Sequence, residues 1–127
     1  MSFETLFCVY FVNAVLLIDH EIDSAYWQEW NLFPALKPYG VNGFLIVHIP
    51  LLIAILAGLV LVYVQSFWGL LMSMALSGGG IFAFAFHSFY LRQGRPEFNT
   101  LGSKILLAAT LAVSIAQAAL STWLLVS

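Results

Sequence analysis

Charge is what this chain has least of. Ten of its 127 residues are Asp, Glu, Lys or Arg, 8% of the total, against 62% hydrophobic residues. A soluble domain carries about 25% charged residues, so water cannot cover this surface and lipid must. The four bases form no cluster, which excludes a nucleic-acid partner. The single cysteine, Cys8, cannot form an intramolecular disulfide and reads as a small buried apolar residue. The first residues, Met1-Ser2-Phe3-Glu4, lack a positive region, and the hydrophobic run after them meets Asp19 rather than a small-residue cleavage site. The first segment is therefore expected to be retained rather than cleaved as a signal peptide. Neither glycine nor proline occurs before Pro34, so nothing local forbids one helix from about Phe3 to about Trp30.

What is present is a set of long apolar runs. Four spans are predicted, at about 3–30 (with its second half projecting beyond the lipid), 41–64, 67–91 and 104–125, forming a single transmembrane domain. Such runs lack the alternation of a β-barrel, and only helices and closed barrels satisfy the backbone in lipid. The expected fold is an all-α, integral membrane four-helix bundle. All four bases, Lys37, Arg92, Arg95 and Lys104, fall in or beside the first and third connections. The positive-inside rule then puts these polar loops in the cytoplasm and both termini outside, N-out/C-out.

The polar residues are concentrated. Asp19, Glu21, Asp23 and Glu29, four of the six acidic residues, stand with His20 in the stretch Asp19–Trp30. Tyr26, Trp27 and Trp30 suit an interfacial aromatic belt. His48 enters the second span from the same side, and His87 lies five residues before Arg92. At helical rise these place three histidines from three spans within roughly 9 Å of one membrane boundary. On the first helix Asn13, Leu17, His20 and Ser24 share a narrow face. Asn13, near mid-bilayer, is expected to face the bundle interior, with Gln117 of the fourth span as a partner. His20 then faces inward too, with Glu21 and Asp23 on its shoulders.

Imidazole and carboxylate are ligands for zinc, iron or manganese. The metal-ligand candidates are His20, Glu21, His48 and His87, with Asp23 or Glu29 behind them. Without a metal, the same group suits acid–base chemistry on a lipid-soluble substrate, with His20, Glu21 and Asp23 as catalytic candidates. Asp19 and Glu29 otherwise read as solvated interface charges. Arg92 or Arg95 is a candidate partner for Glu21 or Asp23. Pro50 should kink the second span and free the Ile46 carbonyl near His48. Gly78-Gly79-Gly80, and the Thr110, Ser114, Gln117 and Ser121 face, read as close-packing surfaces.

Three other readings use the same residues. In one, the chain is a non-catalytic accessory subunit of a homo-oligomer or larger membrane complex. In another it is a small transporter. In the last, His48 and His87 ligate haem. Neither HExxH nor an ExxH pair occurs.

The string Glu21-Ile22-Asp23-Ser24-Ala25-Tyr26-Trp27-Gln28-Glu29-Trp30 resembles the EIDSAYWxEW signature of a family of small, uncharacterised bacterial membrane proteins. A looser similarity extends to Gly43-Phe44-Leu45 and to the four-span layout. The resemblance implies a bacterial inner-membrane protein and no particular activity. The layout is also distantly similar to four-span membrane isomerase-type domains. That likeness implies a histidine and acidic residues protonating a lipid-like substrate.

Overall fold

Each of the four long helices begins where a short polar side chain or a rigid turn starts it. The computed structural model, which describes residues 2–127, contains α1 Phe3–Tyr26, α2 Gly40–Tyr63, α3 Phe67–Arg92 and α4 Leu101–Val126. Two 3-10 turns, Glu29–Leu32 and Lys37–Tyr39, lie between α1 and α2. Ser2, Ser66 and Thr100 cap α1, α3 and α4 by accepting hydrogen bonds from the amides of Thr5, Trp68 and Ser103. Such caps satisfy donors that the helix itself leaves free. Helices of 24 to 26 residues are roughly 36–39 Å long at 1.5 Å per residue. All four are long and apolar enough to cross a membrane. The chain is an all-α four-helix bundle.

Two helices end in the same hydrogen-bonded turn. After α3, the Arg95 amide donates to Tyr90 and the Gly94 amide to Leu91, with Gly94 at φ 76°. After α2, the Ser66 amide donates to Leu61 and the Gln65 amide to Val62, with Gln65 at φ 56°. This left-handed position usually takes glycine, and Gln65 carries a steric cost there. The turn reverses the chain between α2 and α3.

The helices form a ring in which each packs on its sequence neighbours and α4 closes on α1; α1 also meets α3 across the ring, while α2 and α4 make no contact among the described residues. Small residues set the closest approaches. Gly58 lies under the Tyr10 hydroxyl, Gly69 against the backbone of Leu61 and Val62, and Gly80 against Ser114. Of the glycine triplet, only Gly80 packs; Gly78 and Gly79 have open space where a side chain would stand. Cys8 is exposed on the outer, lipid-compatible face instead of buried.

A closed polar network ties α1, α3 and α4 midway along the bundle. Asn13 Nδ2 donates to Gln117 Oε1 at 2.7 Å and to Ser114 Oγ at 3.0 Å. Gln117 Nε2 donates to Ser73 Oγ at 2.8 Å and to the Ser73 carbonyl at 3.1 Å, and Ser121 Oγ donates to Ser73 Oγ at 2.7 Å. All five residues are buried. The expected Asn13–Gln117 contact is present. An amide that cannot find water in lipid must find a partner inside.

The first helix stops short of the expected Trp30. It ends at Tyr26, and Gln28 takes a left-handed conformation at φ 53°. The chain therefore turns back over the bundle end. Lys37, Arg92, Arg95 and Lys104 gather at this end, because consecutive helices run antiparallel. Pro50 lies inside a continuous α2.

Candidate functional site

The buried face of α1 is Leu6, Tyr10, Asn13, Ala14, Leu17, His20 and Ser24. It contains all four residues whose spacing marked one face. The phase that carries Asn13 to its network also carries His20 inward, two turns nearer the polar end. There His20 Nε2 meets His87 Nε2 of α3 at 3.2 Å. Both imidazoles are fully buried, at 2% and 1% exposure. The turn at Gln28 then brings Glu29 back, and its Oε1 lies 3.5 Å from His87 Nε2. One ligand atom from each of His20, Glu29 and His87 falls within 4.8 Å of the other two. Glu29, expected as a solvated charge, has a side chain only 12% exposed. Burial pushes its carboxyl up to about 7; the nearby Ser24 hydroxyl and His48 oppose the rise, and the Glu21 charge adds to it.

A second pair stands beside this cluster. His48 Nε2 lies 2.5 Å from Glu21 Oε2, and His48 Nδ1 lies 2.7 Å from the Phe44 carbonyl. A carbonyl only accepts, so Nδ1 carries a proton. The contact with Glu21 then holds one further proton, on the imidazole or on the carboxyl. The His48 ring bonds Phe44 rather than the Ile46 carbonyl that Pro50 was expected to free.

The structure thus divides the sequence candidates into two groups. His20 and His87 join Glu29, and Glu21 joins His48. The Nε2 atoms of His48 and His87 face different partners, Glu21 and His20, so the two rings are not an opposed axial pair for haem. Asp23 lines a groove beside α4, with Asp19, Thr100 and Ser103. Arg95 pairs with Glu97, at 2.9 Å, rather than with Glu21 or Asp23. That ion pair holds the Glu97 carboxyl below the usual carboxylate range.

Aromatic residues that sequence reasoning passed over close the polar end. Phe98, from the α3–α4 connection, is buried with its ring centroid 3.8 Å from that of His87 and 5.7 Å from that of His20. It takes φ 65° to do so. The visible signal was one large apolar residue in an otherwise polar loop. Phe33 stacks on Phe86 at 5.0 Å, and Trp30 packs on Phe44 at 5.6 Å. Trp27 lies against Phe98 and directs Nε1 at Ser103 Oγ. Of the three expected belt residues, only Tyr26 is strongly exposed.

Four buried polar atoms here lack a hydrogen-bond partner: His20 Nδ1, Asp23 Oδ2, Ser24 Oγ and His87 Nδ1. Buried polar groups are otherwise almost always paired. Beyond the imidazoles a cavity of about 390 Å³ runs between α1, α2 and α3, with His20, Glu21, Glu29 and His87 at its polar end.

Fold and site together define a four-span helical membrane protein with a buried histidine–carboxylate cluster under one end of the bundle. The chain belongs to DUF6713, a family of unknown function, with the match running over residues 6–124. No curated protein and no solved structure matches it.

Proposed function

We propose that this protein binds a divalent transition metal through His20, His87 and Glu29, in the membrane leaflet beside its polar loops. The separation of the ligand atoms carries the reading. Ligand bonds of about 2.0–2.1 Å in a tetrahedral site put neighbouring ligand atoms roughly 3.3 Å apart. The His20–His87 and His87–Glu29 separations are 3.2 and 3.5 Å, and His20 and Glu29 stand within 4.8 Å of each other, so a side-chain shift of about 1 Å at Glu29 would bring all three to one ion. Two imidazoles and one carboxylate are a donor set suited to zinc or iron(II), and also to manganese. Three protein ligands leave a coordination position open for a further molecule. Glu21 and His48 stand beside the centre as a proton-holding pair, able to give or take a proton at Nε2 or Oε2. Asp23, on the α4 side, would act on the centre only through α1.

The sidedness of the bases supports a cytoplasmic location for this end, with the termini outside. The family resemblance supports the bacterial inner membrane.

The metal content of protein purified in detergent, after loading with Zn²⁺, Fe²⁺ or Mn²⁺ and removal of excess, tests the proposal. About one ion per chain is expected for a single three-ligand site. His20→Ala, His87→Ala and Glu29→Ala should each abolish stoichiometric binding, while His48→Ala should retain it. Wild-type protein that is folded and takes up none of the three metals would refute the reading.

A further inference from the structure

The cavity beside the histidine–carboxylate cluster is polar at one end only. His20, Glu21, Glu29 and His87 are its ionisable residues, and the rest of its wall is aliphatic, aromatic or alanine and glycine, apart from Tyr10. Tyr10 commits its hydroxyl to the Ile55 carbonyl at 2.8 Å. The apolar part therefore offers a ligand no free polar partner.

Its length suits a chain rather than a ring. On α3 the wall extends from Met72 to His87, which at 1.5 Å per residue is roughly 22 Å. One leaflet of a bilayer contributes about half of the 30 Å hydrocarbon core, so the slot holds one acyl chain and its head. A volume of about 390 Å³ lies near the lower end of the roughly 300–1,000 Å³ found for small-molecule sites, which favours one chain over two.

The slot also opens in the direction a lipid would come from. The α2–α3 seam is shut at one end, where Gly69 lies on Leu61 and Val62 and Gly58 lies against Met72. Towards the cluster the same seam is bordered by Leu51, Ala75, Gly79 and Phe82, all exposed on the outer face. Gly79 has nothing within 4 Å of the position its side chain would take. At the loop end, Phe33 stacked on Phe86 covers the seam. Entry is therefore from within the bilayer.

We infer that the cavity binds a single-chain lipid with an anionic oxygen head, a long-chain fatty acid being the simplest, chain along α3 and head at the metal centre. The choice of head rests on the metal reading above. A divalent ion with two neutral imidazoles and one carboxylate retains one positive charge and an open position, and a carboxylate head satisfies both.

The probe is palmitic acid with a diazirine at the chain end, photolysed with the zinc-loaded protein in phosphatidylcholine nanodiscs. Labelling should be saturable, competed by unlabelled palmitate, and centred on the α2 and α3 walls near Ile55 and Met72. Gly79→Leu and Ala75→Leu, which put bulk into the slot, should each reduce it about tenfold, the equivalent of 1.4 kcal/mol. Gly78→Leu, whose side chain meets equally open space outside the slot, should leave it unchanged, and chelation should abolish it. Labelling that does not saturate, that spreads over Phe11, Val15 and Ile115, or that ignores both slot-filling variants would overturn the inference. Zinc counted on the same samples separates the two claims. Bound zinc without saturable labelling removes the lipid and leaves the metal centre. Saturable labelling sensitive to Gly79→Leu without bound zinc removes the metal centre and leaves the chain slot. Neither zinc nor labelling removes both.

Discussion

The bundle has two buried polar regions on the same face of α1, and they are built in opposite ways. Around Asn13 the side chains of Ser73, Ser114, Gln117 and Ser121 close on one another in a network of hydrogen bonds. Around His20 the rings and carboxyls converge, yet both Nδ1 atoms are left without partners and a cavity opens alongside. The first region uses neutral amides and hydroxyls, which can satisfy each other with nothing added. The second uses titratable groups in numbers that neutral hydrogen bonding does not balance. A closed network joins helices; an unsatisfied cluster beside a cavity is arranged to receive something else. One α1 face supplies both, because Asn13 and His20 are two helical turns apart.

The largest expected effect separates the regions by ligand. His87→Ala should weaken metal binding by more than about 100-fold, beyond the 10–100-fold typical of losing a residue behind the ligands. Asn13→Ala should leave metal affinity unchanged, as read by competition with a chromophoric chelator. A metal loss from Asn13→Ala as large as that from His87→Ala would erase the distinction.

The next effect comes from pH. The Glu29 carboxyl is raised by burial from an ordinary 4.5 to about 7. Over that window the folded protein holds more protons than the unfolded chain, so stability is complete below about pH 4.5 and falls as pH rises through 7. The metal-free protein should lose roughly 2 kcal/mol between about pH 5 and pH 8 from this group. Thermal unfolding in detergent across that range checks it, and Glu29→Gln should flatten the profile. Stability that climbs with pH, and still climbs in Glu29→Gln, would show that another group governs the site. Since the ligand must be ionised, metal affinity should rise over the same window.

Breaking the closed network should have a smaller consequence. Asn13→Ala should cost about 1–2 kcal/mol, since it leaves the Gln117 carbonyl oxygen without its donor, although membrane hydrogen bonds average less. The loss should appear in unfolding midpoints with metal stoichiometry intact. An unchanged midpoint would mean that the network is ornamental to the fold.

The smallest change lies outside both regions. Gln65→Gly should raise stability by about 0.5–1 kcal/mol, by relieving the left-handed residue in the α2–α3 turn. It should alter neither metal nor network readouts. A destabilised Gln65→Gly protein would indicate that the Gln65 side chain holds the turn in some other way.

Much of this contrast was legible in the residues. An amide at mid-bilayer has few places to go, so Asn13 fixed the phase of α1, and His20 followed from it. Counting residues from the boundary was enough to bring His20 and His87 to one depth. The pairing of His48 was less accessible. α2 is apolar around its whole circumference, so its sequence carries no phase to show which neighbour His48 faces. Glu29 was hidden for a different reason. The chain turns back at Gln28 without a glycine or proline to mark it, and only that turn takes Glu29 from the projecting end of a helix to the side of His87. Phe98 reaches the imidazoles from a loop whose path depends on its own left-handed residue.

The central claim is that His20 and His87 converge on one ion. X-ray absorption of the zinc-loaded protein reads that directly, because imidazole rings add a characteristic outer-shell scattering. The account predicts nitrogen and oxygen neighbours at about 2.0–2.1 Å with two imidazoles per zinc, falling to one in His20→Ala samples that retain residual metal. Zinc surrounded only by oxygen, or carrying a single imidazole in the wild-type protein, would contradict it.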